Sequence, residues 1–284
     1  MVTGTSTGIG FATAVTLGRA GHTVVATMRN LKSGTELQRR IASEEKLPIA
    51  LATLDVDDDL SVSDAFDKVL TEYGRIDVLV NNAGIGGGGP VEEAPTAVFR
   101  QIMETNFFGG LRCIKAVVPG MRERRHGCIV NVTSVFGRLA MTPQAAYAAS
   151  KWAFEALSEC LAQEMKAFDV RVAVVEPSVI ATPIFSKERP LPNDSPYPHS
   201  RRPRAWFKAS LATTPTSPYV VGEQIRQIVD GTSWQLRYTV GADAATILQW
   251  RAGKTDEEVV ELQSCSDTEY VAEMKKLYNL DVIL

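Results

Sequence analysis

Apolar residues along the chain fall into two alternating patterns. Short runs rich in valine and isoleucine are separated by longer stretches whose apolar residues recur at helical spacing. The runs His22–Met28, Ile49–Asp55, Ile76–Val80, Cys128–Val132, Val170–Glu176 and Arg237–Val240 read as strands. Gly8–Ala20, Gly34–Ala42, Ser61–Tyr73, Thr96–Met121, Gln144–Phe168 and Val220–Val229 read as helices. Strands that are apolar on both faces, each followed by a helix, predict a parallel sheet covered on both sides. The expected fold class is therefore α/β, a doubly wound sheet in three layers, with residues 1–284 forming one domain.

Two segments depart from this rhythm. Eight of the 14 prolines fall between Pro183 and Pro218, which excludes regular structure across most of that stretch. Within it, Arg204–Ala212 (RAWFKASLA) has the pattern of a short amphipathic helix. The tail 255–284 reads as helical and carries no recognisable chemistry.

Composition narrows the function classes. Hydrophobic residues at 45% and charged residues at 22% describe an ordinary globular chain. A net charge of −3 gives no general attraction to nucleic acid or an anionic membrane. No apolar run has the length of a membrane span, and no signal peptide is evident, so a cytoplasmic location is expected. The cysteines 113, 128, 160 and 265 form no CxxC pair, and His22, His126 and His199 add no metal-ligand cluster.

The candidate chemistry begins at TGTSTGIG, residues 3–10, which runs straight into a helical segment. Glycines there let the backbone turn sharply and approach a pyrophosphate lying at a helix N-terminus. Glycine-rich turns also serve packing alone, so the loop by itself leaves both readings open. Its setting adds weight. An acidic residue after the next strand would accept from an adenosine ribose and repel a 2′-phosphate. Here Met28 and Arg29 follow that strand, and a guanidinium suits a phosphate. Arg29 therefore favours NADP(H) over NAD(H), against the plainer reading of a solvated arginine.

Tyr147 and Lys151 lie four apart, on one face of a predicted helix. A tyrosine with its ordinary pKa of about 10 is a poor base near neutrality. Lowering that by about two units takes roughly 3 kcal/mol, which an ammonium about 4–5 Å away supplies at an effective dielectric of 20. The pair is thus a candidate general acid/base, although a surface Tyr–Lys contact shares the same spacing. Ser134 follows the strand Cys128–Val132, where a hydroxyl points into the ligand crevice of a parallel sheet. There it is placed to donate to a carbonyl oxygen as charge develops, or to act as an ordinary turn residue.

TGTSTGIG, LDV (54–56), NNAG (81–84), ETNFFG (104–109), Ser134, YAASK (147–151) and EPSVIAT (176–182) together resemble the short-chain dehydrogenase/reductase family over residues 1 to about 185. ATMRNLK and NAGIGGGGPVEE further resemble its steroid- and retinol-dehydrogenase side. The resemblance implies a Rossmann-type domain and assigns roles position by position. Gly4, Ser6, Gly8 and Ile9 would cradle the pyrophosphate and Arg29 the 2′-phosphate. Asp55 and Val56 would face the adenine, and Asn82, Ala83 and Gly84 would line the adenosine ribose side. Tyr147 would be the acid/base, with Lys151 lowering its pKa and bonding the nicotinamide ribose, and Ser134 would hold the substrate oxygen. Asn106 would bind a water linking Lys151 to solvent. Pro177, Ile180 and Thr182 would orient the nicotinamide amide. Residues 183–218 would form a mobile lid, and a homodimer or homotetramer would pair through Thr96–Met121 and Gln144–Phe168.

Two departures from the family stand out. Ser178 replaces the usual glycine after the proline, which predicts slight crowding at the nicotinamide end. Only three residues precede Gly4, too few for the usual first strand, so unpaired neighbours and a natural start upstream of Met1 are expected. The function implied is an NADP(H)-dependent oxidoreductase interconverting a small-molecule ketone or aldehyde and an alcohol. Trp206, Phe207 and Leu211 suggest a lipophilic substrate such as a steroid or retinoid. His199, Arg201, Arg202, Arg204 and Lys208 suggest instead a 3-oxoacyl thioester, or only a solvated loop. A non-catalytic NADP(H) sensor module and a nucleotide-sugar epimerase are rival readings.

Overall fold

The structure is a computed structural model that describes residues 1–43, 47–187 and 195–284, so the expected lid falls partly outside the described residues. Six strands are present: Val24–Met28 (β1), Ile49–Thr53 (β2), Val78–Asn81 (β3), Gly127–Val132 (β4), Val170–Pro177 (β5) and Arg237–Val240 (β6). β1 and β2 pair in parallel, and β3, β4, β5 and β6 form a second parallel run in that order. Val2 joins the two runs, bridging Ala26 on one side and Val80 on the other. The chain thus winds outward through β1 and β2, then back across Val2 into β3. That reversal of direction places a crevice at the C-terminal ends of the strands beside residues 1–5.

The short leading stretch pairs more fully than expected. Val2 donates to the Val25 carbonyl at 2.9 Å and accepts from the Thr27 N–H at 2.9 Å. Thr3 donates to Val80 at 3.0 Å, Thr5 to Thr27 at 2.9 Å, and the Met1 amine to Val78 at 2.8 Å. The expectation that both neighbours would lie unpaired is corrected at these positions.

Helices cover both faces, as the apolar strands require. Gly8–Arg19 (α1), Thr35–Ser43 (α2) and Pro218–Asp230 (α8) lie on one face, where Val15, Leu37 and Ile225 pack against Val2, Ala26 and Val175. Asp59–Tyr73 (α3), Gly109–Arg124 (α5) and Ala145–Lys166 (α6) cover the other through Phe66, Ile114 and Phe154. A third apolar cluster sits over the strand ends. It joins Trp206 and Phe207 of α7 (Arg202–Thr213) to Ile247 of α9 (Ala244–Ala252) and to Tyr270 and Met274 of α11 (Asp267–Tyr278). Between α9 and α11 lies α10 (Asp256–Ser264).

Two expectations about helices change. Thr96–Met121 is not one helix: α4 (Thr96–Met103) passes through a π-helical turn at Glu104–Phe108 before α5 begins. The extra residue of that turn bears on the site. The expected Arg204–Ala212 helix starts earlier, at Arg202, with Pro203 in its first turn, where a missing N–H costs nothing. Among the described residues no helix is long and apolar enough to cross a membrane, and no cluster could hold a metal ion.

Candidate active site

The strand ends open onto one cleft of about 510 Å³. Gly4 turns into it at φ +70°, and a Cβ there would lie 2.8 Å from the Ala83 Cα, so a side chain is excluded twice over. Asn82 braces this turn from below, its Nδ2 donating to the carbonyls of Thr3 at 2.8 Å and Gly4 at 3.2 Å. Thr3 Oγ1 in return accepts the N–H groups of Asn82 at 3.0 Å and Ala83 at 2.9 Å. Gly8, at φ +63°, opens α1, whose first turn has no acidic residue and whose Thr7 cap accepts no side-chain bond. N–H groups without intrahelical partners therefore face the cleft, where an anion is favoured. Gly4, Ser6, Gly8 and Ile9 all line this end, as do Asn82, Ala83 and Gly84.

Arg29 stands exposed at the rim beyond β1 and lines the same cleft. Asp57 is within its field. Burial pushes that carboxyl above the ordinary carboxylate range, opposed by the Thr105 hydroxyl, which donates to Asp57 Oδ2 at 2.9 Å. Asp55 and Val56 form the adjoining wall. Asp55 also closes the turn into α3, accepting the Asp57 N–H at 3.1 Å and donating its own to Ser61 Oγ at 2.9 Å. These residues fit a dinucleotide bearing phosphates: a glycine-lined turn, an open helix start and a guanidinium at the rim.

The chemistry-bearing side chains gather deeper in. β4 ends at Val132 and delivers Ser134, whose buried hydroxyl donates to the Pro177 carbonyl at 3.3 Å and accepts the Phe136 N–H at 3.2 Å. Tyr147 and Lys151 lie one turn apart near the start of α6 and both line the cleft. The Lys151 amine sits 5.7 Å from the centre of the Tyr147 ring and donates to the Val132 carbonyl at 3.0 Å. An ammonium on this side of the ring favours the phenolate over the neutral phenol. The same burial acts on the lysine itself: desolvation lowers its pKa to about 8, partly opposed by Glu155.

Asn106 stands one layer behind the cleft. In its π-helical turn, its Oδ1 accepts the Ile85 N–H at 2.8 Å, while its Nδ2 donates to the Ile85 carbonyl and to Ser150 Oγ, both at 3.0 Å. Ser150 Oγ donates onward to the Tyr147 carbonyl at 2.7 Å. Asn106 therefore ties the NNAG segment to the turn carrying Tyr147.

Pro177, Ile180 and Thr182 line the far end. Ser178 also lines the cleft, with its hydroxyl donating to Asp243 and its N–H to the Val240 carbonyl at 2.9 Å, which ties it to the β6–α9 turn. An aromatic wall completes the cleft. The Phe207 ring lies 6.3 Å from Phe136, 5.0 Å from Phe185 and 5.2 Å from Trp206. Phe136, Phe185, Asp57 and Thr105 escaped the sequence reading. The acidic run Asp57–Asp59 held a signal for one of them, but no spacing selects the rest. Arg204 and Lys208 point to solvent and Arg202 is buried; none of the three lines the cleft.

Known proteins are similar to this chain in sequence and in fold. Retinol dehydrogenase 8 of Bos taurus is 39% identical over 190 residues, covering 66% of this chain and 60% of that protein. The chain thus spans less than two thirds of that relative's length. A short-chain dehydrogenase from Streptomyces avermitilis superposes with a TM-score of 0.79 at 32% identity, over 98% of this chain and 96% of the other. An actinorhodin polyketide ketoreductase solved with NADPH gives 0.74 at 25% identity, over 86% of this chain and 95% of the other. Residues 1–192 match the family described as short chain dehydrogenase. By the extent of that match, and by the fold and cleft that carry it, this chain belongs to the short-chain dehydrogenase family.

Proposed function

We propose that the chain is an NADP(H)-dependent oxidoreductase that interconverts a lipophilic ketone or aldehyde and its alcohol. A bound nicotinamide supplies or accepts the hydride at the carbonyl carbon. The protein's part is to hold the reactants and move the proton. In reduction the Tyr147 hydroxyl gives its proton to the carbonyl oxygen as negative charge develops there; in oxidation the phenolate takes the alcohol proton. The Lys151 ammonium favours the phenolate, and Ser134 steadies the oxygen with a hydrogen bond. Gly4, Ser6, Gly8, Ile9 and the start of α1 receive the pyrophosphate. Asp55, Val56, Asn82, Ala83 and Gly84 line the adenosine end, and Pro177, Ile180 and Thr182 the nicotinamide end.

The observation that carries this reading is the burial of Lys151 beside Tyr147 within the cleft that the glycine loop opens. Preference for NADP(H) rests on Arg29 at the rim, supported by the NADPH of the similar ketoreductase. A lipophilic substrate rests on the wall formed by Phe136, Phe185, Trp206 and Phe207. None of His199, Arg201, Arg202, Arg204 and Lys208 is among the residues lining the cleft, so the lipophilic reading is favoured over the 3-oxoacyl thioester. Self-association through α5 and α6, where Trp152 is exposed, belongs to the same proposal and is read by light scattering.

Turnover of a ketone panel with NADPH tests the reading. Tyr147→Phe should reduce kcat at least about 10³-fold while NADPH still binds. Retained turnover would remove Tyr147 from the mechanism, and binding without turnover in the unsubstituted protein would favour a sensor.

A further inference from the structure

Tyr147, Lys151 and Glu155 recur every fourth residue on α6 and so lie on one face of it. Glu155 is only 4% exposed, yet both its oxygens are engaged: Thr133 Oγ1 donates to Oε1 at 2.5 Å and Arg237 Nε to Oε2 at 3.0 Å. Gly137 makes the room, since a Cβ there would lie 2.7 Å from Glu155 Cγ. Arg237 reaches on to Glu159 at 2.6 Å, on the surface of the same helix. Charge thus alternates from the cleft outward: Lys151, Glu155, Arg237, Glu159.

A buried ammonium without a counter-charge gives up its proton. Lys151 is 5% exposed, and the Val132 carbonyl that accepts from it is neutral. Its own helix supplies Tyr147 and Glu155 on the same face. Glu155 is tied in turn to Arg237, which lies 3.9 Å from Glu176 of β5, and Arg138 meets that same carboxyl. Of the two buried carboxyls, Glu176 accepts from Arg138 at 3.2 Å and leaves Oε2 without a partner. Burial first, and then the Glu155 charge, push the Glu176 carboxyl up toward its neutral form.

We propose that Glu155 is a positioning residue of the reaction, a buried counter-charge on α6 that keeps Lys151 protonated beside Tyr147. The inference rests on the role given to Lys151 under Proposed function. Thr133 and Arg237 hold the carboxylate in place, and Arg237 with Glu159 sets how much of its charge Lys151 feels. Glu155 touches no substrate; it acts through the lysine alone.

Direct titration of the Lys151 amine tests this apart from turnover. NMR of lysine-labelled protein follows the Nζ signal, assigned by its loss in Lys151→Met. In Glu155→Gln the midpoint should fall by about one pH unit, a tenfold change in acidity, and the alkaline limb of carbonyl reduction should move with it. Glu159→Gln, a loss of the same charge at the surface, should move it by less than about 0.3 unit. An unmoved midpoint in folded Glu155→Gln overturns the proposal. If that variant does not fold, Arg237→Gln decides: it should raise the midpoint, and a fall or no change overturns the proposal. A midpoint that moves in a protein turning over no carbonyl would sink the oxidoreductase reading and leave the counter-charge standing.

Discussion

The guanidinium of Arg202 lies 4.6 Å over the ring of Tyr270, fixing α7 to α11. Arg202 is 1% exposed, and its donors are shared among Asp267 Oδ1 at 2.7 and 2.9 Å, the Gln263 carbonyl at 3.1 Å and the Cys265 carbonyl at 2.6 Å. Over α7, these contacts tie the segment expected to form a lid to the C-terminal helices. Arg202→Met leaves two half-buried carbonyls and one carboxylate without their donor. It should cost about 3 kcal/mol in denaturant unfolding. Because α7 carries Trp206 and Phe207 into the cleft, KM for a lipophilic ketone should rise more than kcat falls. Asp267→Asn keeps the acceptor and should cost less than about 1 kcal/mol.

Lys151 makes a distinct pH signature in stability. Its pKa falls from 10.5 to about 8 in the folded chain, so between those values the unfolded chain binds more protons. Stability contributed by this group therefore rises with pH across that window, by about 3 kcal/mol in all. Below pH 8 the cost of the buried charge is fully present. The buried thiols Cys113 and Cys128, pushed up to about 12 and about 11, and Tyr270, pushed up to about 12, act with the opposite sign. The comparison that isolates the lysine is therefore with Lys151→Met. The unfolding free energy of the parent minus that of the variant should climb from pH 8 to pH 10.5. A flat difference would mean that the amine titrates at its ordinary value.

Each strand was legible to within a residue or two, because buried parallel strands are apolar throughout and their boundaries are set by turn residues. The pairing of Tyr147 with Lys151 was legible for a simpler reason: four residues along a helix is one turn. What escaped depends on partners distant in sequence. The π-helical turn at Glu104–Phe108 leaves the apolar spacing of Thr96–Met121 almost unchanged, while the fold directs Asn106 to Ile85 and Ser150. The orientation of Ser178 is set by Asp243, in a turn after β6. The pairing of residues 1–5 could not be judged from length, since β3 itself spans only four residues. Helix α9 went unread because its nine residues carry almost no polar face to mark a period.

Arg29 offers a clean test of cofactor preference. Its side chain is exposed at the rim of the cleft, where a 2′-phosphate would meet the guanidinium and a 2′-hydroxyl would not need it. Arg29→Ala should weaken NADPH binding about 10- to 100-fold and leave NADH binding within about twofold, read by cofactor fluorescence titration. The loss should shrink as salt is raised, because an exposed charge pair is screened. Equal losses for both cofactors would instead assign Arg29 to the shape of the loop.

Phe207 is where stability and substrate choice meet. Its ring touches Phe136, Phe185 and Trp206, so it belongs both to the cluster over the strand ends and to the cleft wall. Phe207→Ala should lower stability by about 3 kcal/mol through the lost burial and the cavity left behind. If the ring only packed the core, kcat/KM for every carbonyl would fall by a similar factor. If it bounds the substrate space, the space opened on the wall favours larger molecules over smaller ones. The ratio of kcat/KM for a polycyclic ketone to that for a short aliphatic ketone should then rise about tenfold over the parent. The ratio is the decisive quantity, because a general loss of folded protein divides out of it.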